Sequence, residues 1–179
     1  MGVAYHNKSY LEEKEETLKN QQEIADKKSN PKPLPFTEMV FEGITFKVIN
    51  LAEADALIGN LTDFKGEQIY NVFEDTWRFP SYQENCFFLL TEEDVTLEKL
   101  DLDYSTEENS DVFILGFIFL KNLKTDKYIL ACDTDNSPAL IVLGNVETVN
   151  IHLFGNVHYI GDGLQCDTLW AFTTMANSL

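Results

Sequence analysis

Basic residues are scarce in this chain, with 13 Lys and Arg against 30 Asp and Glu and no dense run of either cation. Neutralising a nucleic-acid backbone takes clustered Lys and Arg, so binding to DNA or RNA is disfavoured, and anionic membrane surfaces are disfavoured on the same ground. Also missing is an apolar run behind a basic start. The N-terminus, MGVAYHNKSYLEEKEE, is neither a signal peptide nor a spanning segment, and His6 stands where a myristoylation signal needs Ser or Thr. Cysteine is sparse and odd in number: Cys86, Cys132 and Cys166 lie far apart without a CxxC. That pattern fits reduced thiols in a cytoplasmic protein and supplies neither a disulfide framework nor a zinc site. No GxSxG, P-loop, GxGxxG or Cys-His signature occurs, so a non-enzyme is the favoured class, with no cofactor and no metal expected.

What the chain does have is aromatic content and acid concentrated in one place. Its 13 Phe, 7 Tyr and 2 Trp rule out a disordered acidic tail, and 44% hydrophobic content in 179 residues suits one domain with an appendage, or two small ones. Residues 51–111 hold 16 Asp and Glu against only Lys65, Arg78 and Lys99, and so carry 13 of the 17 net negative charges. Such a patch repels itself and is worth most as a steering surface for a basic partner. The competing account is a solvated face that keeps the protein soluble.

Three regions follow one another along the sequence. Residues 1–35 pair a Gly- and Pro-free stretch over 8–28, predicted helical with a thin apolar stripe at Leu11, Leu18 and Ile24, with the Pro-rich linker SNPKPLP. Residues 36–111 form an acidic α+β region. Within it, Val40, Ile44, Phe46 and Val48 around Glu42-Gly43 predict a hairpin, and Asn50 predicts an N-cap for a short helix over 51–59 ended by Gly59. NVFEDTWRFPSYQEN reads as a helix or long loop presenting Trp77, Phe79 and Tyr82, CFFLL as a strand, and TEEDVTLEKL as a segment capped at Thr91. Residues 112–179 open with VFILGFIFL as a buried strand, KNLKTDK as a turn and YILACD as a second strand. LGNV at 143–146 and FGNV at 154–157 then recur 11 residues apart. Between them Val149, Ile151, Leu153, Val157 and Tyr159 share one parity, a pattern open to a β-solenoid or to an antiparallel meander.

The segment VLGNVETVNIHLFGNVHYIGDGLQCDTLWAF resembles the polymer-forming, bactofilin-like β-solenoid proteins, whose strands wind through repeated G-[DN]-[VL] steps. The resemblance covers roughly the last 70 residues, with NCFFLL near position 85 as an earlier coil. It implies a right-handed, β-helix-like C-terminal part. The acidic insert is similar to a subset resembling bacterial toxin immunity proteins, which join a non-repetitive N-terminal part to a solenoid. Where relatives tend to continue LWAF as YNHG, this chain reads TTMANSL, and one codon choice for YNHGEL read one base late gives Thr-Thr-Met-Ala-Asn-Ser; a truncated or frameshifted relative with an uncapped last coil is the expectation.

Candidate chemistry is thin. Asp133, Asp135 and Ser137 open like a calcium loop, but Pro138 falls where the sharp turn needs Gly and Gly144 where the bidentate Glu belongs. His152 and His158 match no metal spacing, and the solenoid part offers only Glu147, Asp162 and Asp167 to an enzyme built on a groove. The predicted fold is therefore mainly β with α additions: an N-terminal helix, a mixed α+β middle and an incomplete C-terminal β-solenoid. The predicted function is an immunity protein (antitoxin) that occludes a basic toxin domain in bacterial competition. Glu74, Asp75, Glu92, Glu93, Asp94, Asp101 and Asp103 form the charged part of its binding surface and Trp77, Phe79 and Tyr82 the aromatic part. A homodimer through the solenoid edge is expected as well. The alternative is a self-assembling structural scaffold in which the acid serves solubility.

Overall fold

The computed structural model describes residues 4–29, 34, 36–62, 68–73, 76, 86–103, 113–133 and 137–171. The described residues are mostly β, with the helices Ala4–Ser29 (α1) and Leu51–Ile58 (α2) and several parallel sheets. Helix α1 spans Ala4–Ser29, longer at its start than the sequence suggests; its polar surface is exposed over residues 12–23, and Ile24 packs against a core cluster. No helix among the described residues is long and apolar enough to cross a membrane.

The hairpin forms as expected from β1 (Glu38–Phe41) and β2 (Ile44–Ile49). Its two-residue turn puts Glu42 at φ 47° and Gly43 at φ 78°, the left-handed pair that matches strand twist in a tight hairpin. Asn50 caps α2 (Leu51–Ile58) through a reciprocal box: its side chain accepts from Glu53 N at 2.9 Å, and Glu53 accepts from Asn50 N at 2.8 Å. Gly59 ends the helix, though not by a left-handed turn, since its φ is −57°. Space is the reason: a Cβ there would lie 2.5 Å from the Asp55 carbonyl oxygen. Strands β3 (Asn60–Thr62) and β4 (Gln68–Asn71) follow as a small antiparallel pair.

From Cys86 onward the chain is built of short strands: β5 (Cys86–Thr91), β6 (Val95–Leu97), β7 (Leu100–Asp101), β8 (Phe113–Phe119), β9 (Leu123–Thr125), β10 (Tyr128–Ala131), β11 (Ala139–Val142), β12 (Asn145–Glu147), β13 (Asn150–Leu153), β14 (Tyr159–Ile160), β15 (Gly163–Gln165) and β16 (Thr168–Ala171). Every third strand joins the same ladder. Strands β5, β8, β11 and β14 run parallel, with β2 and then β1 added antiparallel at the β5 edge. Strands β6, β9, β12 and β15 make a second parallel sheet, and β7, β10, β13 and β16 a third. The ladders thus begin at Cys86, inside the acidic region, where the earlier coil NCFFLL was expected.

The largest sheet is apolar on both faces, which explains why CFFLL lacks alternation: all six residues of β5 are buried. Phe46, Phe87, Leu89, Phe117 and Leu140 join the inner cluster with Leu123, Ile129, Val146 and Ile151 from the other two sheets. Phe88, Leu90, Ile118 and Ile141 point the other way, against Leu51, Ala54 and Ile58 of α2.

Three expectations are corrected. TEEDVTLEKL holds two strands rather than a capped helix, because Val95, Leu97 and Leu100 face the inner cluster and outweigh the local helix propensity. KNLKTDK is a strand, β9, for the same reason: Leu123 is fully buried. The two GNV steps are not equivalent. Asn145-Val146 starts β12 and stacks on Gly163-Leu164, whereas Asn156-Val157 lies in the β13–β14 connection, where Gly155 turns at φ 78°. The stacked positions Val95, Leu123, Val146 and Leu164 stand 28, 23 and 18 residues apart, so no fixed period exists to be read.

Candidate functional site

Glu92, Glu93 and Asp94 share the corner between β5 and β6, and all three side chains are exposed. Thr91 Oγ1 accepts from Glu93 N at 3.3 Å, and the Glu93 carboxylate pairs with Lys121 at 2.8 Å. Asp94 has a structural task. Its Oδ1 accepts from Asn122 N at 3.1 Å and from Asn122 Nδ2 at 2.8 Å, and the backbone bond above all holds this carboxyl below its usual range. Asn122 Oδ1 in turn accepts from Asn145 N at 2.8 Å and Asn145 Nδ2 at 3.1 Å. The corners of three successive turns are thereby tied by one column of side chains, which ends at Gly163. A Cβ on Gly163 would meet only Asn145 Oδ1, at 3.1 Å. Gly163→Asn is expected to lengthen the column and raise stability by about 0.5–1 kcal/mol, read as a higher urea midpoint at unchanged slope.

Asp101 lies on β7 and Asp103 just beyond it. The Asp103 carboxylate accepts from Cys132 N at 2.6 Å, from Asp133 N at 3.1 Å and from the Ser137 hydroxyl, and so ties Cys132 and Asp133 to Ser137. Ser137 N also donates to Asp133 O at 3.3 Å, while Asp135 lies outside the described residues. Among the described residues no group of three or more His, Cys, Asp and Glu is placed to hold a metal ion. Glu74, Asp75, Trp77, Phe79 and Tyr82 lie outside the described residues. Burial foremost raises the Cys132 thiol.

All three lysines of residues 112–179 are engaged by carboxylates: Lys121 by Glu93, Lys124 by Glu147 and Lys127 by Glu98. Each pair raises its lysine, and Lys127 lowers Glu98. Exposed pairs of this kind add little stability, but they cancel the cations of this surface and leave its remaining acids in excess.

The two histidines part company. His152 faces outward, its ring 6.0 Å from that of Trp170. His158 turns in: Nδ1 accepts from Leu140 N at 3.1 Å and Nε2–H donates to Phe154 O at 3.1 Å, so the ring is held neutral and burial lowers its pKa. Because the folded value lies below the unfolded one, the stability this ring contributes is complete above about pH 6.5 and is lost as pH falls towards the lowered value. A thermal unfolding series between pH 7.5 and 5 is expected to show this fall. His158→Leu removes the acceptor of a buried amide, costs about 1–3 kcal/mol at pH 7.5 and flattens that part of the curve.

A small cavity of about 40 Å³ lies between Phe73, Phe88, Leu115, Ala139 and Val157, with room for a water or two. Comparison with family models, with curated proteins and with solved structures finds no match. One surface feature escaped the sequence reading: Trp170, exposed on β16 beside His152. Strand parity would have found it, since Trp170 stands in register with His152, which is on the outward parity of β13.

Proposed function

We propose that this chain is an immunity protein that binds and occludes a basic toxin domain, its acidic surface carried on a rigid β-solenoid. The observation that carries the reading is unbalanced charge: residues 51–111 contribute 13 net negative charges, and the nearby lysines 121, 124 and 127 already serve Glu93, Glu147 and Glu98. An acidic surface competes directly for a cleft shaped to hold phosphates, and opposite charge speeds the encounter. The solenoid part draws on three parallel ladders that each take every third strand, which is what four coils of three strands would give. Resemblance of the final segment to bactofilin-like proteins points the same way.

A second reading, a self-assembling scaffold, draws on the β14, β15 and β16 edge. Val146 is 1% exposed but Leu164, stacked on it, is 37% exposed; Ile151 is 0% and its neighbour Leu169 53%. Apolar groups along a strand edge that no described strand covers favour pairing with a second copy. Light scattering separates the two readings, since polymers that persist in high salt would favour the scaffold.

The test of the first reading is co-expression with the domain encoded beside this gene. Rescue of growth is expected; a toxic neighbour that this chain does not neutralise contradicts the reading. Glu92→Lys, Glu93→Lys and Asp101→Lys together, leaving the structural Asp94 in place, are expected to slow association about tenfold in stopped-flow mixing. Unchanged kinetics would remove these three residues from the interface.

A further inference from the structure

On the outer face of the sheet of β7, β10, β13 and β16, register sets Leu130, His152 and Trp170 side by side, with Asn150 and Thr168 two residues back along their strands. Burial follows the parity. Ile129 and Ile151, facing the other way, are fully buried, whereas Leu130, Asn150, His152 and Thr168 are half-buried and Trp170 is 58% exposed. Neither Leu130 nor Trp170 packs into either apolar cluster, and the Trp170 ring lies 6.0 Å from that of His152 at a tilt of 33°. The result is an apolar and aromatic stripe about 10 Å long, two strand-to-strand steps, laid across the strands. Hydrogen-bonding groups line it. The Thr168 hydroxyl, the Asn150 amide oxygen, the Trp170 indole N–H and the His152 ring nitrogens have no partner among the described residues.

Leu130, Asn150, Thr168 and Trp170 carry no charge. Nearby ions are engaged or sit at the corners: Asp101, one step beyond Leu130, has Lys99 beside it, Lys99 also bonds Tyr128, Lys127 pairs with Glu98, and Asp126 and Asp167 occupy the turns before β10 and β16. The stripe itself thus offers a cation no ion pair, and the acid at its margins repels an anion. We propose that this face binds a neutral, extended β-1,4-linked glycan lying across the strands, with one sugar ring stacked on Trp170. Equatorial hydroxyls leave only C–H groups on the faces of such a ring, the surface an indole stacks on. They also turn its polar groups to the rim, towards Thr168, Asn150 and the indole N–H. The strand spacing of about 4.8 Å is close to the rise of one hexose in an extended chain, so successive rings meet Trp170, His152 and Leu130 in turn. An apolar peptide would cover the same stripe but leave those hydrogen-bonding groups unsatisfied. The inference is separate from the basic-partner reading, which concerns the Glu92–Glu93 corner, and stands or falls without it.

The test uses the full chain in a Trp77→Phe background, where Trp170 is the sole indole, titrated with cellotetraose at low and high NaCl. Trp170 fluorescence is expected to change saturably, with the same midpoint at both salt concentrations because no ion pair forms. By calorimetry, Trp170→Ala is expected to weaken cellotetraose about tenfold and Trp170→Phe to recover part of that loss, while Thr168→Val weakens it about threefold. Both positions lie on the outer face, so the unfolding curve stays in place. Absence of cellotetraose binding to the parent overturns the inference, as does binding that Trp170→Ala leaves unchanged or a midpoint that shifts about tenfold with salt. A Trp170 emission maximum that moves with protein concentration in the absence of sugar puts a second copy on this face and overturns it as well.

Discussion

Ile151→Asp is expected to abolish the cooperative unfolding transition of this protein, while His152→Asp, one residue further along the same strand, leaves it within about 1 kcal/mol of the parent. Ile151 is 0% exposed, with Ile129 on one side and Leu169 on the other in the ladder, and belongs to the inner cluster. A carboxylate there has no described cation within the apolar column, and leaving one uncompensated costs several kcal/mol, comparable with the whole 5–15 kcal/mol of a typical domain. His152 points outward, so its replacement forfeits only the ring contact with Trp170. Circular dichroism through a urea titration reads both. Equal effects would mean that inward and outward faces do not alternate along β13.

Gly161→Ala is the second large effect. Gly161 N donates to Val142 O at 2.8 Å, so this residue rides close over the preceding turn. A Cβ built on it falls 2.3 Å from the Leu143 carbonyl oxygen and 3.0 Å from the carbonyl carbon. The obstacle is the Leu143 backbone, which cannot rotate away as a side chain would. Relief requires the β11–β14 pairing to open, and a cost of about 3 kcal/mol is expected, at the upper end of ordinary overpacking. The measurement is the shift in urea midpoint, with Gly163→Asn as the control that adds bulk two residues later where space and a hydrogen-bond partner exist. A neutral Gly161→Ala would show that the turn closes less tightly than the structure places it.

Much of the fold was legible wherever one local rule governed. Glu42-Gly43 specified its hairpin because a tight turn needs left-handed backbone, and Asn50 with Glu53 specified the start of α2 because the two satisfy each other's orphan amides. Legibility failed where tertiary stacking overrode local preference. Thr91 to Leu100 looks like a capped helix in isolation, yet Val95 and Leu97 find Leu123 and Thr125 beside them across a 28-residue gap that no window along the sequence spans. The GNV repeat misled for the same reason: parallel strands joined by connections of unequal length place stacked residues 18 or 23 apart, while the visible 11-residue echo joins a stacked corner to a connecting loop.

The candidate site divided along similar lines. Asp94 and Asp103 looked like surface charge, but one anchors the Asn122–Asn145 column and the other ties Cys132 and Asp133 to Ser137, tasks set by neighbours 28 to 34 residues away. Glu92, Glu93 and Asp101 keep a place on the outer surface, and Asp101 shares its column with Trp170. Charge counting located the acidic segment; it had no means of separating carboxylates that build the protein from those left to meet a partner.

The central claim is that acid on this surface draws in a basic partner. The association rate with the neighbouring gene's domain, measured from 50 to 500 mM NaCl, tests it most directly. The account expects the rate to fall at least about tenfold over that range in the parent, and markedly less in the Glu92, Glu93 and Asp101 triple lysine variant. A rate that is flat with salt, or one equally steep in parent and variant, would contradict it.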